Sequence, residues 1–237
     1  MTTKKEASEN IAKIHEKMDA AAKRAGRDPK EVQLIVVSKT IDVDRIKEAV
    51  ACGEVHLGEN KVQEIMDKYE PMGPGIHWHL IGHLQTNKVK YIIDKVDMIH
   101  SVDSFHLAQE ISKRAVQKGV TMDILLEINM AQEESKFGLA ADETEDLVRQ
   151  IAVLPGIRIR GLMTVAPFVE DPQENRPVFR KMKELLVDIN AKKIDNVSMD
   201  VLSMGMTNDY EVAIEEGATM IRVGTAVFGA RVYPNKN

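Results

Sequence analysis

The sequence predicts an α/β fold: eight strand–helix units closing into a (β/α)8 TIM barrel, with an extra helix in front and residues 1–237 forming a single domain. Three observations lead there. Short apolar runs alternate with helical patterns about eight times, and such alternation means parallel strands joined by crossover helices. The 237 residues come close to the ~250 typical of that barrel. The residues that follow the apolar runs are mostly polar, as the working end of a barrel requires. An open doubly wound sheet is the alternative, but the evenness of the units favours the barrel.

Taken in order, residues 4–25 make an amphipathic helix whose apolar stripe is Ile11, Ile14, Met18, Ala21 and Ala25. Gly26 stops it, and Asp28-Pro29 reads as a turn. Leu34 to Val37 is uninterrupted by polar residues, so 33–38 is a strand buried on both faces, and Lys39 falls at its C-terminal end. A helix over 42–51 is ended by Gly53, and a strand over 55–57 leads into Gly58-Glu59-Asn60. Next come a helix over 61–68, a strand over 76–81 followed by Gly82-His83, a helix over 86–94 and a strand over 98–101. Ser104 caps a helix that Gly119 stops. The second half gives strands over 123–129, 157–163, 198–202 and 220–223. Between them lie an irregular loop over 131–141, helices over 142–153 and to about 191, and a short helix capped by Asn208 and ending at Gly217. A terminal helix is expected within 226–233.

The composition narrows the function classes. A formal net charge of −5 offers no basic field for nucleic acid or an anionic membrane, so an anionic ligand needs local donors. No apolar run approaches the ~20 residues that span a bilayer, and the polar N-terminus lacks a signal-peptide core. Cys52 is the single cysteine, which fits a reducing compartment. The expectation is a cytoplasmic monomer.

Reading off the strand ends gives Lys39, Asn60, His83, Ser101 with Asp103, Asn129, Met163, Ser203 and Arg222, a polar mouth over an apolar barrel. After the seventh strand comes Ser203-Met204-Gly205-Met206-Thr207-Asn208, and after the eighth Arg222-Val223-Gly224-Thr225. Both offer glycine, hydroxyls and free N–H donors, the chemistry that holds phosphate, at the place where barrels often bind it; two ordinary glycine turns are the plainer reading. Arg222 closes an apolar strand and needs partners, either a carboxylate or a ligand nitrogen. His56, His77, His79 and His100 could be imagined as a metal site, but no carboxylate or cysteine completes a ligand spacing, so hydrogen-bonded histidines are the better reading. A lysine that can form an imine, a phosphate cradle and an arginine together suggest pyridoxal 5′-phosphate (PLP).

At these motifs the chain resembles the pyridoxal-phosphate homeostasis proteins (YggS/PROSC type). The matching segments run in order through nearly the whole chain. They are Val36-Val37-Ser38-Lys39-Thr40; Gly58-Glu59-Asn60 with Gln63-Glu64; His79 to Lys88; Ser135-Lys136 with Gly138; Gly161-Leu162-Met163; Ser203 to Thr207 with Asp209; and Arg222 to Thr225 with Phe228-Gly229 and Arg231. The resemblance implies a barrel like the N-terminal domain of alanine racemase (PLP fold type III), with PLP held as an imine on Lys39. It implies that Ser203, Gly224 and Thr225 hold the phosphate with help from Met204 and Gly205. Arg222 would face the pyridine nitrogen, and Asn60, His83 and Met163 would line the ring pocket. The implied role is control of intracellular vitamin B6 by binding PLP and delivering it, with PLP-dependent apoenzymes as candidate recipients and no established reaction. Two departures stand out: Ile41 replaces a second lysine that many members carry, and Thr207 replaces a common serine.

Two enzymatic readings compete. An amino-acid racemase on the same barrel needs a base on each face of its substrate. Lys39 could serve one, but none of Tyr69, Tyr91, Tyr210 and Tyr233 sits at an expected strand end. An aldolase-type barrel using Lys39 on a sugar phosphate would bind no PLP.

Overall fold

The computed structural model describes residues 4–130 and 138–229. Ser135-Lys136, Arg231 and the end of the expected terminal helix lie outside the described residues. Eight parallel strands close into a barrel in sequence order: β1 Gln33–Val37, β2 His56–Glu59, β3 His77–Leu80, β4 Met98–Val102, β5 Met122–Glu127, β6 Ile157–Met163, β7 Val197–Ser203 and β8 Met220–Val223. The seam pairs first strand with last, Ile35 lying opposite Arg222 and Val36 opposite Val223.

Strand side chains alternate between two environments because a strand has period two. Leu34, Val36, Leu57, Trp78, Leu80, Ile99, Leu126, Leu162, Leu202 and Ile221 pack outward into one continuous core beneath the helices. The register places Val37, Gly58, His79 and Met98 together on the inner face, and likewise Glu127, Met163, Ser203 and Met220. Inside, Met98, Leu125, Met163 and Val201 form a small separate apolar cluster. The interior is thus not uniformly apolar: His79, His100, Ser203 and Arg222 are buried in it, which departs from the expected apolar barrel under a polar mouth.

The helices follow the predicted stripes: α1 Lys4–Arg24, α2 Val43–Val50, α3 Val62–Met72, α4 Val89–Ile92, α5 Phe105–Lys118, α6 Thr144–Ala152, α7 Arg176–Ala191, α8 Tyr210–Glu215 and α9 Thr225–Phe228. α3 runs a turn beyond Lys68. Pro71 falls in its last turn, where its missing N–H costs a single helix bond. The expected helix over 86–94 opens as a 3-10 turn, Thr86–Lys88, before α4. α1 packs against α2, α8 and α9, outside the seam. Asn10 Nδ2 donates to the Val227 carbonyl at 3.1 Å, Arg27 Nη1 to those of Ile214 and Ala218 at 2.7 and 2.9 Å, and Arg24 Nε to Glu215 at 2.7 Å. Among the described residues no helix is long and apolar enough to cross a membrane.

Candidate functional site

Lys39 stands two residues past β1, half-buried, in the turn to α2. The turn is tight enough to force Thr40 to φ 62°, a left-handed conformation that a β-branched residue disfavours. A buried polar cluster outside the barrel holds it there. Glu59 Oε1 accepts from Ser38 Oγ at 2.7 Å and from Lys68 Nζ at 2.7 Å. Lys68 Nζ also donates to the Ser38 carbonyl at 2.8 Å and to Glu64 Oε2 at 3.0 Å, and that same Glu64 oxygen accepts from the Thr40 N–H at 2.6 Å. Burial pushes the Glu59 carboxyl up from its ordinary value, against the pull of Lys68 and Ser38. Burial also works to raise Glu64, but the Thr40 N–H and Lys68 hold it below its ordinary value. The residues flanking Lys39 are therefore fixed by hydrogen bonds on both sides. The sequence motif pointed to Glu59 and Glu64, whereas Lys68 read only as the last residue of the helix expected over 61–68.

Beside Lys39, at the C-terminal ends of the strands, opens a cavity of about 620 Å³. Of the residues expected in the site, Lys39, Asn60, Arg222, Gly224 and Thr225 line it. The loop Met206–Asp209 forms another wall, and Val37, Ile81, Val165, Pro167 and Phe168 supply apolar surface. Val165, Pro167 and Phe168 follow β6 in a stretch whose sequence reads as plain loop. Gly224 is forced by the seam, since a Cβ there would lie 2.9 Å from the Val37 carbonyl oxygen. One carboxylate, Asp209, reaches the cavity with both oxygens hydrogen-bonded: Oδ1 accepts from the Met206 N–H at 2.7 Å and Oδ2 from Asn175 Nδ2 at 2.8 Å. Asp209 rather than Asn208 thus stands at the head of α8, and Asn208 Nδ2 instead donates to the Val169 carbonyl at 2.8 Å.

The other expected residues lie elsewhere. His83 lines a neighbouring cavity of about 510 Å³, with Lys61, Lys88 and Tyr91, that shares only Asn60 with the first; its Nδ1 is 3.4 Å from Asp103 Oδ2. Met163 is fully buried in the barrel's inner cluster. Met204 is fully buried, and its N–H donates to the Met220 carbonyl at 3.1 Å. Gly205, at φ +91°, accepts from the Arg222 N–H at 3.0 Å, and a Cβ there would meet that of Ala213 at 2.6 Å. Ser203 is fully buried, and its hydroxyl points inward to Arg222 and His100, 2.7 and 3.0 Å away, rather than into the cavity lining.

Arg222 connects the barrel interior to the cavity. Nη1 donates to Ser203 Oγ, and Nη2 donates to the Thr164 carbonyl at 2.8 Å. Burial lowers the guanidinium to about 10, while Glu127 and Asp209 support its charge, so it remains a cation at neutral pH. Below it the histidines bond to one another. His100 Nε2 lies 3.0 Å from His79 Nδ1, and His79 Nε2 lies 3.1 Å from His56 Nδ1, with His77 stacked on His56 at the far end.

Fold and site define a barrel of the alanine racemase N-terminal class, and the family described as "Alanine racemase, N-terminal domain" matches residues 9–232. The Pyridoxal phosphate homeostasis protein of Aquifex aeolicus is 43% identical over 228 residues, covering 96% of this chain and 99% of that protein. The chain belongs to the pyridoxal phosphate homeostasis protein family. The structure of PipY from Synechococcus elongatus PCC7942 with PLP bound aligns with TM-score 0.82 at 33% identity, covering 94% of this chain and 100% of that one. An alanine racemase of Clostridium difficile 630 aligns with TM-score 0.73 at 15% identity, covering 96% of this chain and 58% of that one, a likeness of fold alone.

Proposed function

We propose that this protein binds PLP covalently at Lys39 and holds it for intracellular PLP homeostasis, passing it to PLP-dependent apoenzymes without turning over a substrate. The observation that carries this is the convergence of Lys39, Arg222 and the Gly224-Thr225 turn on one cavity. The donor set fits the cofactor: one amine, one buried guanidinium, the hydroxyls of Thr207 and Thr225, the amides of Asn60 and Asn208, and apolar walls. Asp209, the one carboxylate of the lining, has its oxygens engaged by the Met206 N–H and Asn175 and its charge facing the Arg222 cation.

PLP supplies an aldehyde that condenses reversibly with a deprotonated lysine amine, together with a phosphate dianion. In this reading Lys39 is the covalent anchor, aimed by the Ser38–Glu59–Lys68 cluster. Gly224, Thr225 and Thr207 donate to the phosphate through backbone N–H and hydroxyl groups, and Arg222 presents a donor to the ring. Met163, Met204 and Gly205 act from behind the lining, shaping it. A donating arginine leaves a pyridine nitrogen unprotonated, which weakens electron withdrawal by the ring. A racemase would need a second base, and Tyr69, Tyr91 and Tyr210 do not line this cavity. Cys52, an exposed free thiol, suits the reducing cytoplasm. We read the working state as a monomer.

Adding PLP to the purified protein should produce an absorbance band at ~420 nm that Lys39→Ala abolishes. Borohydride reduction should leave a pyridoxyl group on the peptide containing Lys39. A wild-type protein that gains no such band would sink this reading, and alanine racemisation at ~1–10³ s⁻¹ would overturn its non-catalytic half.

A further inference from the structure

We infer that His100, His79 and His56, acting through Ser203, are positioning residues: a one-directional hydrogen-bond chain that fixes Arg222 as a donor to the cavity. This rests on the proposed PLP reading for its purpose, but not for its geometry.

The direction follows from what each group can do. A guanidinium has only donors, so Ser203 Oγ must accept from Arg222 Nη1 at 2.7 Å. The hydroxyl proton then points to its other neighbour, His100 Nδ1, 3.0 Å away. An imidazole whose Nδ1 accepts carries its proton on Nε2. His100 Nε2–H therefore donates to His79 Nδ1 at 3.0 Å, and by the same logic His79 Nε2–H donates to His56 Nδ1 at 3.1 Å. One constraint at Arg222 thus sets three tautomers in three neighbouring strands. An imidazolium at His79 would place two donors face to face, and one at His100 would turn the Ser203 hydroxyl proton away; either breaks the chain. Burial works the same way, lowering His79 to about 3 and His100 well below its ordinary value, so both are neutral.

The chain does two things for Arg222. The aligned imidazoles turn their accepting nitrogens towards the guanidinium, which stabilises a cation that is 4% exposed. Ser203 and the Thr164 carbonyl hold one nitrogen each, so the plane of the fork is fixed and its cavity side is kept for a ligand. The period-two spacing of His77 and His79 hinted at a shared face. His100 stands on the neighbouring strand β4, whereas its other partner, Ser203 on β7, is brought to it across the interior only by barrel closure.

The test has two arms. In PLP-free protein at neutral pH, ¹⁵N NMR of the imidazoles should show His79 and His100 neutral and protonated on Nε2, with the His100 Nδ1 signal moving in Ser203→Ala. An Nδ1-protonated or cationic His100 overturns the chain, whatever the protein does with PLP. In the second arm, His100→Leu should weaken PLP about tenfold, the worth of one buried hydrogen bond, and shift the absorbance band. His100→Asn, whose side-chain oxygen can accept from Ser203, should recover most of the affinity. Unchanged affinity and band in a folded His100→Leu protein, judged by circular dichroism, overturns the positioning role. Failure of the wild type to bind PLP would instead count against the proposed function and leave the NMR arm to decide the chain.

Discussion

Glu127 ends β5 on the inner face of the barrel at 9% exposure. Burial first, then the charge of Asp103, push its carboxyl from an ordinary 4.5 up to about 7, against the pull of Arg222. A raised carboxyl favours the fold while protonated, so its contribution is complete below pH 4.5 and is lost as pH rises through 7. Glu127→Gln cannot ionise. It should match the wild type near pH 4.5 and exceed it by up to about 3 kcal/mol above pH 7.5, as read from urea unfolding at both pH values. Equal stabilities at high pH would show that Glu127 is solvated. Residues differ in how much the sequence reveals. Lys39 was legible because Ser38 and Lys39 break off a run of four apolar residues, which marks the end of a strand buried on both faces. The direction of the Ser203 side chain was not: Ser198 and Asp200 mark one face of the first part of β7, but Val201, Leu202 and Ser203 at its end are all buried, and Ser203 lies on the face opposite those polar residues.

Among the elements, the β1–α2 turn depends most on a distant helix. Lys68 reaches from α3 to Ser38, Glu59 and Glu64, which places one ammonium at the centre of the cluster that sets Thr40. Lys68→Met should cost about 3 kcal/mol in chemical unfolding, the lower end for breaking a buried pair, because Glu59 can relieve its charge by taking a proton. The same variant should bind PLP more weakly, since the turn bearing Lys39 loses its tether. A loss below ~1 kcal/mol would mean the cluster is no firmer than a surface pair. The helices and strands could be read from apolar periodicity and glycine stops, and the Ser104 cap of α5 with its Gly119 stop could be read too, whereas the start of α8 could not. Asn208 and Asp209 are both good capping types, and the choice was made by Asn175, which anchors Asp209 from the start of α7, 34 residues away in sequence.

For the whole molecule, eightfold alternation was enough to predict the barrel, because parallel neighbours joined by helices leave few alternatives. Its hydrogen-bonded interior was out of reach: His79 and His100 stand on the pair β3 and β4, Ser203 and Arg222 on the pair β7 and β8, and only closure joins the two pairs through His100 and Ser203. The seam carries a consequence for folding. Lys39 follows the first strand, and Arg222, Gly224 and Thr225 belong to the last strand and the turn after it, so the site is joined from opposite ends of the chain. Contacts so distant in sequence are slow to form, and α1 can dock on α8 and α9 only once those exist. A ligand gripping both strands is therefore a clasp on the ring. PLP at 100 times its Kd should add ~2.7 kcal/mol of stability, and the gain in amide-exchange protection should concentrate in β1 and β8. Protection spread evenly around the barrel would mean the ring is already shut without it. If the clasp holds, removing the cofactor loosens the barrel first at its first and last strands, so the protein's grip on its own ends would report how much vitamin B6 it carries.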